Sequence, residues 1–321
     1  MQSNNFNFNT TAEEVATTFS EEIKNKNVLI TGTSLNGIGF ETARVIAKYA
    51  SLVIITGYNE ERLKLSEDGL RKEVPSANIR RLVLNLASLA GVRKAAAEVN
   101  AYEEPIHVLV NNAAAPMGSF KLTEDNLENQ MATDHVGPFL FTKLIALKIV
   151  ASKTAEYTPR VVFVASEAHR YCAGVDFDAI TKPDVATYDG AVAYAQAKAA
   201  NILTVVELAK RGKGKLNVYA VHPGVIFTNF NQHPEAIPGL KAAGVLDDDG
   251  RPKTGSYFQW KTIPEGAATT VAAAFDPSLN GTYLSDCKDI TSTIAPHSSD
   301  PATAEKLWKF TEEIVGDAST F

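Results

Sequence analysis

Short apolar runs and helical stripes alternate along the whole chain. The run Val28–Thr31 is apolar, rich in β-branched residues and closed by a glycine, as in a strand buried on both faces. Apolar residues then recur at helical spacing from Phe40 to Tyr49. Further strands are predicted near 52–56, 79–84, 106–110, 160–165, 216–221 and 282–285, and further helices near 11–24, 59–73, 88–101, 123–152, 191–211, 264–275 and 300–315. Such alternation predicts a parallel sheet with helices on both faces.

Three glycines lie between the first of these strands and its helix. Gly32, Gly37 and Gly39 let the backbone turn tightly, and the N-terminus of the next helix offers free N–H groups and the positive end of a dipole. Strand, glycine turn and helix together form the geometry that binds a pyrophosphate, although glycines also mark ordinary turns. The pattern therefore predicts an α/β fold, a single-domain Rossmann-type doubly wound parallel sheet.

No change of composition divides the chain into two domains. Residues 1–24 are predicted to be an Asn-rich arm and a short helix, and residues 25–321 one dinucleotide-binding oxidoreductase domain. Within it, about 229–263 is irregular and rich in Gly, Pro and aromatic residues, as expected of a substrate lid. The apolar residues of this lid suggest a lipophilic or aromatic substrate: Phe230, Ile237, Leu240, Tyr257, Phe258 and Trp260.

Composition and charge limit the classes of partner that the protein could bind. Hydrophobic residues make up 45% of the 321 residues, and the net charge of −6 mixes both signs, so no nucleic-acid or membrane partner is expected. No apolar run reaches the about 18 residues of a membrane helix, and the polar N-terminus shows no signal peptide. Two cysteines without metal or redox spacing then indicate a cytoplasmic location, and six histidines without metal spacing predict no catalytic metal.

Tyr194 and Lys198 are four residues apart in a predicted helix, so both side chains lie on one face. An ammonium beside a phenol favours the phenolate and lowers the tyrosine pKa toward working pH, as general acid–base catalysis requires. Ser166 ends the fifth strand, where a hydroxyl can hold a substrate carbonyl oxygen. The plainer alternatives are a surface pair and a turn serine, and Tyr257 and Lys261 in the lid repeat the same spacing.

The order of these residues resembles the short-chain dehydrogenase/reductase family. The matching motifs, spread over about Asn25 to Asp286, are Thr31-Gly32 with Gly37-Ile38-Gly39, Asn111-Asn112-Ala113, Ser166, Tyr194 with Lys198, and Pro223-Gly224 with Thr228. Within the family the chain is most similar to the branch of retinol dehydrogenases and WW-domain oxidoreductases. The segments that carry this finer resemblance are Ser166–His169, Ala193–Tyr194, Lys198–Leu203, Val221–Gly224, Gly266–Thr270 and Tyr283–Cys287.

The resemblance implies a role for each matching residue. Tyr194 would be the general acid for carbonyl reduction and the base for alcohol oxidation, while a bound nicotinamide would supply or accept the hydride. Lys198 would lower the tyrosine pKa and bind the nicotinamide ribose, and Ser166 would hold the carbonyl oxygen. The residues expected to bind the dinucleotide are Gly32, Ser34, Asn36, Gly37, Ile38, Gly39, Tyr58, Asn85, Leu86, Asn112, Ala113, Ala114, Tyr194, Lys198, Pro223, Gly224, Val225 and Thr228.

Three positions depart from the family pattern. Four residues instead of three separate the first two glycines of the turn, so the turn should bulge. Asn85 replaces the aspartate that touches the adenine, and Asp134 replaces the asparagine beside the catalytic lysine. We count Asp134 among the catalytic residues. Its carboxylate accepts hydrogen bonds but donates none, and near Lys198 it should stabilise the ammonium and disfavour the Tyr194 phenolate.

The leading hypothesis is an NADP(H)-preferring oxidoreductase that interconverts a lipophilic or aromatic ketone or aldehyde and its alcohol. An NAD site needs a carboxylate after the second strand, where this chain has Gly57, and Tyr58 follows instead of an arginine. A modest preference for NADPH is therefore expected, with NAD(H) as the alternative cofactor.

Two other functions and a homodimer are also considered. The first is a catalytically weak nucleotide-sensing binding protein of the same fold, and the departure from the family pattern at Asp134 is consistent with it. A methyltransferase built on this sheet would need an acid after the second strand, which Thr56-Gly57-Tyr58 does not supply. Because the family often dimerises through the predicted helix 123–152, its apolar stripe is either core or a homodimer interface: Phe139, Leu140, Leu144 and Leu147.

Overall fold

An eight-stranded sheet runs through the computed structural model, which describes residues 5–255 and 258–317. The strands are β1 Asn27–Ile30, β2 Leu52–Gly57, β3 Ile79–Val83, β4 Val108–Asn111, β5 Arg160–Val164, β6 Asn217–His222, β7 Val225–Ile226, β8 Trp260–Lys261, β9 Tyr283–Ser285 and β10 Lys288–Asp289. In space the main sheet has the order β10-β9-β6-β5-β4-β1-β2-β3, and β7 pairs with β8 in a separate parallel ribbon. Only β10 is antiparallel to its neighbour in the main sheet. The direction of winding reverses between β1 and β4, so a crevice opens beyond their carboxyl ends.

Helices cover both faces of this sheet. They are α1 Ala12–Thr18, α2 Ser20–Ile23, α3 Ile38–Ile46, α4 Glu60–Glu73, α5 Leu89–Ala101, α6 Asn129–Met131, α7 Gly137–Val150, α8 Phe177–Thr181, α9 Gly190–Arg211, α10 Ile237–Ala242, α11 Ile263–Phe275, α12 Pro296–Ser299 and α13 Pro301–Val315. Short 3-10 turns span Glu167–Tyr171 and Thr291–Thr293, and a π turn over Ala132–Val136 joins α6 to α7.

Side chains that alternate along β1 divide the interior into two cores. Val28 and Ile30 lie in the core with helices α1, α3 and α11, whereas Leu29 lies in the core with α5, α7, α9 and α13. Because both faces of the strand are buried, it reads as a continuous apolar run in the sequence. The doubly wound parallel sheet predicted from the sequence is confirmed.

The helix predicted over 123–152 begins later in the structure, at Asn129. Residues before it form a turn that is closed by an antiparallel bridge between Leu122 and Glu128. The Glu128 carboxylate accepts hydrogen bonds from the N–H groups of Gln130 and Met131 at 2.8 Å each. A buried side-chain cap therefore sets this helix start, and the apolar spacing alone did not reveal it.

The lid contains more regular structure than the sequence predicted. Helix α10 and strand β8 lie within it, and a small apolar cluster of its own holds Ala236, Leu240 and Leu246 against Trp260. Several lid residues therefore pack on one another instead of facing a substrate. Tyr257 lies outside the described residues. Lys261, the other half of that Tyr–Lys spacing, is buried and forms an ion pair with Asp286 at 2.5 Å.

The N-terminal segment packs against the domain through Phe8 and helix α1. The Phe6 and Phe19 rings lie 6.0 Å apart, and the Lys261 ammonium lies 4.7 Å from the centre of the Phe8 ring. Over the described part of the chain, no helix is both long and apolar enough to cross a membrane.

Candidate active site

The glycine turn connects β1 to the N-terminus of α3. Its additional residue is accommodated at Asn36, which adopts the left-handed conformation with φ of 57°. Gly37 is the N-cap of α3 and provides no side-chain acceptor for the first helical N–H groups. These N–H groups and the helix dipole are therefore available to an anion, as a pyrophosphate site requires.

The Asn112 side chain connects the end of β4 to this turn through hydrogen bonds. Its amide nitrogen donates to the carbonyl oxygens of Thr31 at 2.8 Å and Gly32 at 2.9 Å. A Cβ atom on Gly39 would collide with the Asn112 side chain, and one on Gly32 would lie 2.7 Å from the Ala113 Cα. Both glycines are therefore needed for close packing of the turn against the 112–113 backbone. This geometry fits a dinucleotide, whose pyrophosphate needs a close approach to the backbone.

The residues predicted for the adenosine end lie at the carboxyl ends of β2 and β3. Tyr58 is 68% exposed, and Asn85 is also exposed, with its side-chain oxygen accepting the Ala87 N–H at 3.1 Å. The end of β2 carries Gly57 and no carboxylate. A Cβ atom added to Gly57 would contact only Leu63, at 3.8 Å. The space that holds a ribose hydroxyl in NAD sites therefore carries no acidic group from this strand.

The residues predicted for the nicotinamide end follow β6. Gly224 has φ of 93°, and a Cβ there would lie 2.8 Å from the Lys261 side chain. The Thr228 hydroxyl accepts the Phe230 N–H at 3.3 Å within a turn. Asn229 donates to the Leu35 carbonyl oxygen at 2.5 Å, so the lid reaches across to the glycine turn.

Asp134 and Lys198 are buried beneath this crevice, and the partly buried Tyr194 lies beside them. The Lys198 Nζ lies 3.0 Å from Asp134 Oδ2, and the two side chains are 3% and 0% exposed. The same nitrogen lies 3.4 Å from the Val164 carbonyl oxygen and 5.2 Å from the centre of the Tyr194 ring. An unpaired charge would be costly at this depth. The direct ion pair gives each of these two charged groups an oppositely charged partner.

The π turn between α6 and α7 brings Asp134 to this position. Its Oδ1 accepts the Ala115 N–H at 2.7 Å, and the Gln130 amide donates to the Ala115 carbonyl oxygen at 2.9 Å. Single π turns inside α-helices are frequent at functional sites. Here the turn fixes the carboxylate between Lys198 and the loop that follows β4.

Burial raises the pKa of the Tyr194 phenol above its ordinary value of 10.0, although Lys198 and a hydrogen bond with Ser166 lower it and Asp134 raises it further. Burial lowers the pKa of Lys198, but Asp134 and Tyr194 raise it more, and the net pKa lies above the ordinary value. The phenol is therefore protonated at neutral pH. The expected lowering of the tyrosine pKa toward working pH is offset by burial and by Asp134.

Two histidines hold the segment that carries Ser166. His169 is buried, with Nδ1 lying 2.8 Å from the Ser166 carbonyl oxygen and Nε2 accepting the Ala295 N–H at 3.2 Å. His222 accepts the Glu167 N–H at 3.2 Å. Burial lowers the pKa of His222 to about 4, so it is neutral. The sequence feature that could have indicated this role is the closeness of His169 to Ser166 and of His222 to Pro223.

The structure brings the predicted residues together at one edge of the sheet. Ser166, Tyr194, Lys198 and Asp134 form one cluster, and the predicted dinucleotide residues follow the carboxyl ends of β1, β2, β3, β4 and β6. In residues 5–255 and 258–317 no group of three His, Cys, Asp or Glu side chains could hold a metal ion.

Known proteins resemble this chain over most of its length. A family model described as short chain dehydrogenase matches residues 26–175. The chloroplastic short-chain dehydrogenase TIC 32 B of Brassica napus is 36% identical over 314 residues, which cover 95% of this chain and 92% of the relative. Human retinol dehydrogenase 14 is 31% identical, covering 91% and 86%, and the WW domain-containing oxidoreductase of Danio rerio is 33% identical, covering 94% and 71%.

Solved structures share the fold at lower identity. The RhlG/NADP active-site complex of Pseudomonas aeruginosa is 22% identical with a TM-score of 0.60, covering 81% of this chain and 94% of that one. The NADH-dependent reductase A1-R' complexed with NAD is 22% identical with a TM-score of 0.58, covering 87% and 100%. At this identity the likeness concerns the fold alone.

Proposed function

The chain belongs to the short-chain dehydrogenase/reductase family, and from this premise we propose that it uses NADP(H) to interconvert a ketone or aldehyde and its alcohol. The observation that carries the proposal is the cluster of Tyr194 with the buried pair Lys198 and Asp134 at the carboxyl edge of the sheet. Ser166 joins it through a hydrogen bond to Tyr194. A phenol next to a cation can act as the positioned proton donor and acceptor of general acid–base catalysis.

The dinucleotide would lie along the carboxyl ends of the strands. The free N–H groups of α3 would meet the pyrophosphate, and Gly57 would leave room for a 2′-phosphate on the ribose. Lys198 would bind the nicotinamide ribose, while Thr228 would meet the carboxamide. When bound, the nicotinamide supplies the hydride for reduction or accepts it in oxidation.

The protein would supply the proton. In reduction the Tyr194 hydroxyl gives its proton to the carbonyl oxygen, and Ser166 donates a hydrogen bond to the same oxygen. In oxidation the Tyr194 phenolate takes the alcohol proton. Lys198 stabilises that phenolate, and Asp134 opposes it while holding the ammonium in place.

Three further features belong to the proposal. The aromatic ring of Phe230 lies 5.4 Å from that of Tyr194, which supports a lipophilic or aromatic group around the carbonyl. A cytoplasmic location is proposed, although two plant relatives are named chloroplastic. A homodimer built on α7 would use the face that carries Leu147, which is 74% exposed, because Phe139 and Leu140 are buried in the core.

A screen of aldehydes, ketones and quinones tests the proposal. Each compound is added with NADPH or NADH, and the nicotinamide absorbance is followed. We expect turnover of at least one apolar carbonyl compound, faster with NADPH. Tight NADPH binding without turnover of any compound would favour the rival function, a nucleotide-sensing binding protein, for which the Asp134 departure is the supporting observation.

A further inference from the structure

A polar chamber lies between the loop that follows β4, helix α6 and the lid. Its volume is about 170 Å³. Seven polar side chains line it: Ser119, Lys121, Asn129, Gln130, Tyr188, His233 and Glu235. This lining differs from the apolar surface that the lid composition suggested, because Leu240 and Leu246 pack within the lid's own cluster.

Two contacts run from the elements that line the chamber toward the catalytic cluster. A Cβ on Gly190, at the start of α9, would collide with the Gly118 carbonyl oxygen on the chamber wall, and Tyr194 follows one turn later. On the lid side, the Phe230 ring contacts Tyr194 and His233 lies three residues further along. The start of α9 and the lid therefore connect the chamber wall to the surroundings of Tyr194.

Charges in the chamber wall neutralise each other. The Lys121 ammonium lies 2.7 Å from the Glu235 carboxylate. The Tyr188 hydroxyl donates to the buried Glu128 carboxylate at 3.0 Å, which also caps helix α6. Because Lys121 and Glu235 already pair with each other, a charged ligand group would gain no unpaired counter-charge from them, so neither an anion nor a cation is favoured.

Neutral hydrogen-bonding groups remain available. The Asn129 side chain makes no hydrogen bond within the described ranges 5–255 and 258–317. The His233 ring accepts the Glu235 N–H through Nδ1 at 3.4 Å, which leaves Nε2 for a ligand. A hydrocarbon in this space would leave these groups without partners, whereas a hydroxyl or carboxamide would satisfy them.

We propose that this chamber binds a neutral hydrogen-bonding group, a hydroxyl or a carboxamide, at the far end of a substrate whose carbonyl lies at Tyr194. The inference rests on the proposed carbonyl reduction and narrows its substrate class. The substrate is amphipathic, with an apolar part beneath Phe230 and a neutral polar tail toward Asn129.

Matched ketones test this assignment. One series carries a terminal carboxamide on tails of increasing length, a second a methyl group at the same position, and a third a carboxylate. At the best tail length we expect kcat/KM with NADPH to be about tenfold higher for the carboxamide than for the methyl compound, the effect of about one well-formed hydrogen bond. The carboxylate series should show no such increase in kcat/KM over the methyl series.

Two variants locate the effect. Asn129→Ala should reduce the carboxamide preference to about twofold or less, whereas Asn280→Ala, an exposed asparagine outside the chamber, should keep the wild-type ratio. Equal rates for carboxamide and methyl ketones, or an unchanged ratio in Asn129→Ala, would overturn the chamber assignment while leaving carbonyl reduction intact. Preference for the carboxylate would overturn the charge argument. Failure to turn over any of the ketones would refute carbonyl reduction itself, and the chamber assignment with it.

Discussion

Asp134 is the residue whose chemistry departs most from the family pattern. It forms a direct ion pair with Lys198, and it raises the pKa of Tyr194 together with burial. Sequence alone indicated the substitution, but it could not show that both groups are fully buried. The depth matters because screening by water is weak there and each charge acts strongly on its neighbours.

We expect Asp134→Asn to keep turnover within about tenfold of the wild type, a barrier change of about 1.4 kcal/mol. Removing the negative charge makes the Tyr194 phenolate easier to form, so the pH profile of alcohol oxidation should move to lower pH. Turnover measured against pH for both directions checks this. Asp134→Ala should be worse than Asp134→Asn, because the Ala115 N–H then loses its acceptor. Complete loss of activity in Asp134→Asn would mean that the carboxylate itself does chemistry.

Gly57 is expected to decide the cofactor preference. A carboxylate at the end of β2 would repel a 2′-phosphate and accept hydrogen bonds from the ribose hydroxyls. Gly57→Asp should therefore lower the affinity for NADPH relative to NADH by at least about tenfold. Gly57→Ala is the matched control, since a Cβ there meets only Leu63 at ordinary contact distance. Fluorescence titration of both cofactors gives the ratio, and a wild-type protein that clearly prefers NADH would contradict the account.

Most helices could be located from the sequence because their caps are local. Asn59 and Ser88 each accept a backbone N–H from their own first turn, and both residue types are favoured at helix N-caps. The start of α6 could not be found in the same way, since Glu128 is an unusual cap whose carboxylate is buried against Tyr188. The π turn also escaped prediction, because its cause is the tertiary pairing of Asp134.

Helix α13 is expected to contribute strongly to stability through Trp308. The indole is 4% exposed, its ring lies 4.7 Å from that of Phe139, and its N–H donates to Glu312 at 2.9 Å. Trp308→Ala should lower the free energy of unfolding by about 3–5 kcal/mol. Lys309→Ala on the exposed face of the same helix should change it by at most about 1 kcal/mol. Urea denaturation measures both, and similar small losses would show that the helix is loosely packed.

At the scale of the whole molecule, the sequence was sufficient to predict the sheet and the edge at which the site lies. The order of motifs placed the glycine turn after the first strand, Ser166 after the fifth strand and Tyr194 in a later helix, and parallel strands bring their carboxyl ends together. The inside of the lid was not predictable, because aromatic residues such as Trp260 read alike whether they face a substrate or each other. Only the three-dimensional packing separates these cases.

Buried neutral histidines should make the folded protein sensitive to acid. Burial lowers the pKa of His107 to about 4, of His135 to about 3 and of His222 to about 4, whereas unfolded histidine titrates near about 6.5. The unfolded chain then binds more protons below about pH 6.5. Stability should be complete above that value and should fall from about pH 6.5 toward about pH 4, by up to about 1.4 kcal/mol per pH unit for each histidine.

His107→Gln tests this linkage, because glutamine can still accept the Asn27 N–H that His107 accepts at 3.0 Å. The slope of unfolding free energy against pH between about 6.5 and 5 should decrease by about one proton. Gln232→Ala, at an exposed position without a titratable side chain, should leave the slope unchanged. An unchanged slope in His107→Gln would show that this ring does not titrate differently on unfolding.

The most direct test of the central claim is Tyr194→Phe, measured with NADPH and the best carbonyl compound from the screen. The variant keeps the ring beside Phe230 and loses only the proton donor. Turnover should fall by at least about a hundredfold, while NADPH affinity stays near that of the wild type. A variant that binds NADPH and reduces the compound at the wild-type rate would contradict the account, because Tyr194 would then not be the acid that protonates the carbonyl oxygen.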